Sequence, residues 1–313
     1  MRNLKIIEVK SELGAGTRGA SMGVDAIKIA ALDFGSRYFK QYKTVEVPNE
    51  NHLLLDSTGS QYAKRISGVL TMLERVSEEV AKTMKQNEFP VILAGDHSTS
   101  AGTIAGIKIA NPKARLGVIW IDAHADLHTP YTTPSGDMHG MPIAVSLGED
   151  NVESKVNKPD QESINYWFQL KNLGGISPKI SYQNLVYINV RDTEPQEDYL
   201  IKKYGIKNFT TAEIRRKGVE KVAIETLLLL DSCDLIYVSF DVDSMDSSIS
   251  KGTGTPVRNG ITEKEAGSLC VRLIQNEKVC CFEIAEVNPT LDKENLMAEN
   301  TFEILQRVVA QIA

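Results

Sequence analysis

The chain has 313 residues, a formal net charge of −6, a sequence pI near 5.5 and a hydrophobic content of 42%. This length and apolar content can bury a large core, and we expect one domain over residues 1–313. The acidic balance, without a long Lys or Arg cluster, argues against nucleic acid or an anionic membrane as a partner, because such binding depends on neutralising phosphates. A small polar or cationic substrate fits better.

The N-terminus and the cysteines bear on the cellular compartment. Residues 1–10 carry charges inside a short apolar stretch, so they lack the apolar core of a secretion signal, and no window approaches a membrane-spanning helix. Two of the cysteines are adjacent in the apolar run at residues 279–284, which favours buried free thiols over disulfides. None has Cys-x-x-Cys spacing, which argues against a thiolate zinc site. We therefore expect a cytoplasmic protein.

Short apolar runs alternate with longer helical patterns along the chain. Most runs are continuously apolar, which is typical of parallel strands covered by helices on both faces. Residues 61–86 and 294–312 have helical periodicity. This rhythm predicts an α/β fold with a mainly parallel central sheet. The predicted strands are residues 4–9, 90–94, 116–121, 185–190, 235–240 and 279–285.

Two segments show neither pattern. Residues 129–140 are rich in Pro, Gly, Ser and Thr, and we interpret them as a loop of the functional site. Residues 148–181 are polar around the aromatic residues Tyr166, Trp167 and Phe168, and they look irregular. This second segment is either a surface insertion or an excursion that covers the site or joins subunits.

Acidic and histidine side chains follow three of the apolar runs, where the carboxyl ends of parallel strands form a ligand crevice. Alternate residues of an extended chain face one side, so each run is expected to present several of these groups together. A single Asp here would fit a helix cap or a solvated turn, but so dense a cluster repels itself without cations. We interpret the set as six ligands for two metal ions, and four carboxylates with two imidazoles favour Mn²⁺ over thiolate-seeking zinc. The six are His97, Asp122, His124, Asp126, Asp241 and Asp243.

The chain resembles the ureohydrolase family, which includes arginase, agmatinase and formimidoylglutamase. Matching segments run from Gly95 to Pro289, and a weaker glycine-containing segment at residues 14–23 extends them. The pattern Ser-Gly-x-x-His-Gly-Met-Pro after Asp-x-His-x-Asp is closer to arginases than to agmatinases. The segments are residues 94–98 (AGDHS), 122–126 (DAHAD), 135–142 (SGDMHGMP), 239–243 (SFDVD), and 252–256 (GTGTP) followed by 286–289 (EVNP).

The resemblance implies a three-layer, arginase-like fold and two Mn²⁺ per subunit. Arginases convert arginine and water to ornithine and urea by attack of a metal-bridging hydroxide on the guanidinium carbon. They commonly form trimers or hexamers, so a homo-oligomer is expected. The implied ligands are His97, Asp122, Asp126 and Asp241 for one ion, and His124, Asp122, Asp241 and Asp243 for the other, with Asp122 and Asp241 bridging.

The same resemblance implies the other site residues. His139 would shuttle protons, Glu286 would accept N–H bonds from the guanidinium, and the ligand Asp126 completes the catalytic set. Taken alone, His139 in a Gly-rich loop and Glu286 at a strand end would more often be structural. Counting charges, the pocket suits a small cationic guanidino substrate. The substrate-binding candidates are His128, Ser135, Asp137, Glu194, Glu197 and Thr255.

Three of these candidates depart from the arginase pattern. His128 stands where arginases usually carry Asn, Glu194 where they usually carry Asp near the substrate α-ammonium, and Asp137 replaces an Asn. The first two changes enlarge the side chain, and Asp137 adds a negative charge that disfavours a substrate carboxylate, although Ser135 is retained as a contact for that group. Arginine is the first expectation, and a shorter or decarboxylated guanidino compound, such as agmatine or a guanidino acid, is the alternative.

Other functions stay open on the sequence alone. They are formimidoylglutamase, a mononuclear zinc amidohydrolase similar to histone deacetylases, and a non-catalytic interaction module. The paired Asp241 and Asp243, together with His97, favour two metals over one. Loss of activity would be expected to remove ligands or Glu286 first, because an acidic cluster without cations destabilises the fold.

Overall fold

The computed structural model describes residues 2–312, in which eight strands form one sheet. Every neighbouring pair is parallel, which confirms the predicted α/β class. The strand order across the sheet is β2-β1-β3-β8-β7-β4-β5-β6. The strands are β1 Asn3–Val9, β2 Lys43–Glu46, β3 Glu88–Ala94, β4 Leu116–Ile121, β5 Leu185–Ile188, β6 Lys207–Phe209, β7 Leu235–Asp241 and β8 Val279–Ala285.

Helices cover both faces of this sheet and give three layers. In β4, Ile119 and Ile121 join a core shared with α1, α9, α10 and α11, whereas Val118 and Trp120 join a core shared with α3 to α7. Alternate residues thus serve opposite cores, as the period of an extended strand requires. The helices are α1 Gly23–Asp33, α2 Tyr38–Gln41, α3 Ile66–Lys85, α4 Ser100–Ala110, α5 Pro142–Leu147, α6 Gln161–Lys171, α7 Pro195–Tyr204, α8 Thr211–Lys217, α9 Val219–Leu229, α10 Glu263–Ile274 and α11 Leu296–Val309.

The two edge strands are absent from the sequence-based expectation. β2 is four residues long and mostly exposed, and β6 is three residues long and mostly half-buried. Neither is the continuous apolar run that marks a central strand. The predicted helix at residues 61–86 begins only at Ile66, because Arg65 before it has a φ of 53° and cannot continue a right-handed helix.

The polar segment at residues 148–181 contains helix α6, so the expectation of an irregular stretch is wrong there. Trp167 on this helix is buried, and its Nε1 donates a hydrogen bond to Asp150 Oδ1 at 2.7 Å, whereas Phe168 points outward. The buried side chains of Trp167 and Leu170 anchor α6 to the core it shares with α3 and α5. The excursion is therefore packed onto the fold through an apolar face.

Other features bear on the environment of the protein. Within residues 2–312, no helix combines the length and the apolar character that spanning a membrane requires. All the cysteines are free thiols, as expected; Cys280 is half-buried and the other three are buried.

Candidate active site

Four neighbouring strands place the predicted ligands at one edge of the sheet. Strands β3, β8, β7 and β4 are adjacent in that order. His97 lies just beyond β3, Glu286 just beyond β8 and Asp122 just beyond β4, while Asp241 is the last residue of β7. Because the carboxyl ends of parallel strands share an edge, residues far apart in the chain converge here.

The ligands converge at one edge of the sheet as predicted, but the backbone geometry that brings Asp122, His124 and Asp126 together differs from the prediction. Strand β4 ends at Ile121, and the ligands that follow it are not on an extended chain. Asp126 has a φ of 49°, in the left-handed region that Asp tolerates better than most residues. Asp122 Oδ1 accepts a hydrogen bond from the His124 amide at 2.7 Å, which fixes the turn. A sharp turn, and not strand alternation, therefore brings these three side chains together.

The first cluster of ligand atoms surrounds the imidazole of His97. Its Nδ1 lies 3.1 Å from Asp122 Oδ2, 3.2 Å from Asp126 Oδ2 and 3.0 Å from Asp241 Oδ2. All four side chains are buried. One nitrogen thus faces three carboxylate oxygens at a common point.

The second cluster shares Asp122 with the first. His124 Nδ1 lies 2.9 Å from Asp243 Oδ2 and 3.6 Å from Asp122 Oδ1. Asp243 is held in place because its Oδ1 accepts the Ala123 amide at 3.0 Å. The two oxygens of Asp122 therefore face different clusters, which is the arrangement of a bridging carboxylate. Asp241 is not among the ligand atoms that group with His124 and Asp243 in residues 2–312, so its predicted bridging role stays a prediction.

The two clusters concentrate negative charge in a buried place. Burial lowers the pKa of His97, but Asp122, Asp126 and Asp241 outweigh it and raise the pKa well above its usual value. Burial and the charge of Asp122 raise the pKa of Asp126 to about 6. Burial, with the charges of Asp243 and Asp122, raises the pKa of Asp241 well above its usual value. The cluster therefore has a high affinity for positive charge.

These groups fit divalent metal ions. His97 Nδ1 and Asp122 Oδ2 are buried and have no hydrogen-bond partner within residues 2–312, although such atoms are normally satisfied. The other ring nitrogen, His97 Nε2, lies 2.7 Å from Ser239 Oγ, which leaves Nδ1 free to coordinate. Trp120 stacks on the imidazole at 4.0 Å between ring centroids and fixes its plane. Carboxylate and imidazole donors suit a relatively hard ion such as Mn²⁺.

Beside the clusters, buried Glu286 pairs with half-buried His139. Glu286 Oε1 accepts the His97 amide at 2.9 Å and lies 3.1 Å from His139 Nδ1, and no hydrogen bond within residues 2–312 uses Oε2. Burial lowers the pKa of His139, but the hydrogen bond to Glu286 and the charges of Glu286, Asp126 and Asp96 raise it to about 9. Burial raises the pKa of Glu286, but His139 outweighs it and holds the pKa below its usual value. The pair can hold a proton at His139 Nδ1.

Three of the substrate-binding candidates meet at the start of α7. His128 Nε2 lies 2.9 Å from Glu194 Oε2 and 3.5 Å from Glu197 Oε2. Glu197 is buried, and its two oxygens accept the amides of Leu127 and Glu194 at 3.0 and 3.1 Å. Glu197 is thus occupied by the backbone, whereas Glu194 has a side chain that is 48% exposed and faces His128.

A cavity of about 110 Å³ joins the clusters to these outer residues. Among the predicted site residues, only Asp122 and Glu286 do not line it, so Ser135, Asp137 and Thr255 belong to the same cavity as the ligands. The Thr255 hydroxyl donates to Asp243 Oδ2 at 3.0 Å, and the Asp137 amide donates to Ser135 Oγ at 3.1 Å. Larger cavities elsewhere, such as one of about 330 Å³ beside α6, contain none of these residues.

The structure also identifies site residues that the sequence analysis gave no role. Ser239 holds His97, and buried Asp96 accepts the Gly14 and Ser98 amides behind the clusters. Both lie inside the matching segments, so their positions beside ligands could have drawn attention to them. Lys64 contacts the loop at residues 133–137, and no pattern in the sequence marks it.

Comparisons with known proteins agree with this geometry. The family model described as Arginase family matches residues 2–313. The arginase of Bacillus subtilis strain 168 is 35% identical over 314 residues, which cover 99% of this chain and 98% of that protein. The native structure of Bacillus caldovelox arginase is 33% identical, covers 98% of each chain and has a TM-score of 0.84. The structure of Entamoeba histolytica arginase in complex with L-ornithine is 25% identical, covers 99% of each chain and has a TM-score of 0.83.

These likenesses span nearly the whole chain, and they confirm the resemblance found in the sequence. The matching segments are the ones that place acidic and histidine side chains at the carboxyl edge of the sheet. The chain therefore belongs to the arginase family, whose members are hydrolases that cleave carbon–nitrogen bonds of small linear amidines.

Proposed function

We propose that this protein is a manganese-dependent arginase that converts L-arginine and water to L-ornithine and urea. The observation that carries the proposal is the pair of ligand clusters that share Asp122 at the carboxyl edge of the sheet. Two metal sites a single carboxylate apart are the arrangement expected for hydrolysis of a poor electrophile. The guanidinium carbon is such an electrophile, because its charge is delocalised over three nitrogens.

Two Mn²⁺ ions per subunit are proposed for the clusters. When bound, such ions supply Lewis-acid activation of water near neutral pH. The ligand atoms in the first cluster support one site, and those in the second support the other. The proposed ligands are His97, Asp122, Asp126 and Asp241 for one ion, and His124, Asp122, Asp241 and Asp243 for the other.

Glu286 and His139 are proposed to handle the reacting end of the substrate. The free Oε2 of Glu286 is the group that would accept guanidinium N–H bonds, because Oε1 already accepts the His97 amide and faces His139. A raised pKa keeps His139 protonated near neutrality, so it can give a proton to the leaving amine as general acid. The pair thus separates substrate binding from proton transfer.

The outer residues are proposed to hold the far end of the substrate. The exposed carboxylate of Glu194 can accept an α-ammonium group, and Ser135 can donate to an α-carboxylate. The complex of Entamoeba histolytica arginase with L-ornithine supports an amino acid of this size in the same fold. His128 and Asp137 favour the competing substrate agmatine, which has no carboxylate to be repelled by Asp137.

Three broader expectations are kept as proposals. Strand pairing runs without interruption from β2 to β6, which supports one domain over residues 1–313. We also propose that the subunits form a homo-oligomer, a trimer or a hexamer, and that the protein works in the cytoplasm.

The decisive test is a substrate panel with urea detection. Protein reconstituted with Mn²⁺ is offered arginine, agmatine and shorter guanidino acids at equal concentrations. The proposal predicts the highest kcat/KM for arginine and loss of urea release after chelation. Faster urea release from agmatine would replace the substrate assignment, and no urea from any guanidine would contradict the proposed reaction.

A further inference from the structure

The outer loop of the cavity, residues 133–137, is held from behind by residues 61–64. The Lys64 amide donates to the Gly136 carbonyl at 2.9 Å, and Lys64 Nζ donates to Asp137 Oδ1 at 3.0 Å. Gly136 has a φ of 81°, and a Cβ placed on it would lie 2.0 Å from the Gln61 carbonyl oxygen. Lys64 therefore hydrogen-bonds to two successive residues of this loop.

These two hydrogen bonds fix the position of Ser135. The Asp137 amide donates to Ser135 Oγ at 3.1 Å, so a shift of Asp137 moves the hydroxyl of Ser135, which lines the cavity. The Gly136 amide in turn donates to Thr133 Oγ1 at 2.9 Å, which closes the loop on itself. The Lys64 side chain thus lies one contact away from a proposed substrate-binding group.

The contact between Lys64 and Asp137 also changes the charge of the cavity wall. The cavity wall carries carboxylates from Asp126, Asp137, Glu194, Asp241 and other residues, and within residues 2–312 no Lys or Arg lines it. The side chains of Lys64 and Asp137 are 30% and 13% exposed, so their attraction is only partly screened by water. Lys64 supplies the positive charge that pairs with the Asp137 carboxylate.

We propose that Lys64 is a positioning residue that determines specificity, because it offsets the charge of Asp137 and fixes Ser135, so that the cavity favours ligands with a carboxylate at their far end. The proposal rests on the proposed function for its choice of ligands. Without Lys64, the Asp137 carboxylate would repel a ligand carboxylate, while a ligand lacking that group would be little affected. A merely structural role would weaken both kinds of ligand equally.

The test measures dissociation constants calorimetrically on Mn²⁺-loaded protein, with ornithine as the carboxylate ligand and putrescine as its decarboxylated counterpart. Lys64→Met is expected to weaken ornithine about tenfold and putrescine less than about twofold, because only ornithine meets the unpaired charge. Lys64→Arg keeps the charge and should keep the wild-type ratio. Lys113→Met, an exposed position near the amino end of β4, is the matched control.

A second comparison avoids leaving Asp137 unpaired and covers the case in which Lys64→Met does not fold. Asp137→Asn alone should favour ornithine more than the wild type does, because Lys64 then has no partner. Adding Lys64→Met to Asp137→Asn should return the ratio to within about twofold of wild type. Equal changes for both ligands, an unchanged ratio, or no binding of ornithine to the wild type would overturn the proposal.

The outcome is separable from that of the proposed reaction. Urea release by the wild type is measured on the same preparation. If the wild type releases urea but the ratio of the ornithine and putrescine dissociation constants does not change in the Lys64 variants, the proposed reaction is supported and the role of Lys64 is contradicted. A Lys64-dependent ratio without urea from any guanidine would support the role of Lys64 and contradict the reaction.

Discussion

The inner and outer parts of the cavity are built in different ways. The inner part, formed by the two ligand clusters, lies at the ends of central strands, and its carboxylates are fixed by backbone amides such as those of Ala123 and His124. The outer part, formed by His128, Ser135, Asp137 and Glu194, lies on loops and on the start of α7. Its side chains pair mainly with one another or with Lys64.

This difference explains where the chain departs from its family. A change in the inner part would disturb both backbone hydrogen bonds and buried charges, so few substitutions are compatible with a stable fold. A change in the outer part alters the length and charge of side chains that lie mainly on loops, which tolerate variation. We therefore expect inner residues to govern whether the protein binds metal, and outer residues to govern which substrate it selects.

The largest expected effect is the loss of an inner ligand. Asp126→Asn keeps a residue that tolerates a φ of 49°, but it removes one of the charges that attract cations. The affinity for metal should fall by more than the roughly 10–100-fold that is usual when a group that orients a ligand is removed. The metal-free variant should be no less stable than wild type, because the cluster repels itself less.

Calorimetric titration with Mn²⁺ and thermal unfolding with and without the ion measure both effects. Asp33→Asn, at the exposed end of α1, is the control. An unchanged affinity for Mn²⁺ in Asp126→Asn would contradict the proposal that this cluster binds metal.

His139→Asn separates catalysis from metal binding within the inner part. It removes the proposed proton donor but no ligand, so kcat should fall by about 100-fold or more while metal affinity stays unchanged. Steady-state urea release and metal titration on the same preparation check the two halves. Metal loss in this variant would show that His139 supports the clusters and would count against the shuttle role.

Ser239→Ala tests whether the support of His97 matters. It removes the 2.7 Å contact to Nε2 and leaves that nitrogen buried without a partner. Metal affinity should fall by about 10–100-fold, the usual effect of losing the group that orients a ligand. Ser232→Ala, at the exposed amino end of β7, is the control for metal titration. Equal affinities in both variants would mean that Trp120 alone orients the ring.

The smallest expected effect belongs to the outer part. His128→Asn restores the residue usual in arginases and releases Glu194 from its 2.9 Å contact, so the carboxylate can accept an α-ammonium. The KM for arginine should fall by roughly fivefold, with metal affinity unchanged, because one polar contact is gained in a preformed pocket. Steady-state kinetics with arginine and agmatine decide this. A large loss of metal affinity in His128→Asn would contradict the expectation that only the inner residues govern metal binding.

The sequence alone predicts the central strands of the sheet and the positions of the acidic and histidine side chains at their ends, whereas the metal-binding role of those side chains stays a prediction. Central strands such as β4 and β7 are continuous apolar runs, and the ligands follow them directly. Strands β2 and β6 were not predicted, because short edge strands need not be apolar. Helix α6 was not predicted either, since only its face with Trp167 is buried.

The sequence predicts less of how the site is assembled. The turn at Asp126 depends on a positive φ that its residue type permits but does not dictate. The contact between Lys64 and Asp137 joins residues 73 positions apart, and no local pattern marks such a pair. The roles of Ser239 and Asp96 likewise follow from tertiary contacts, which periodicity does not report.

The most direct test of the central claim is anomalous diffraction from Mn²⁺-loaded crystals, recorded at the manganese absorption edge. We predict two peaks per chain, one beside His97 and one beside His124, with an oxygen of Asp122 on each. A single peak, or peaks that the Asp122 carboxylate does not join, would contradict a two-metal centre.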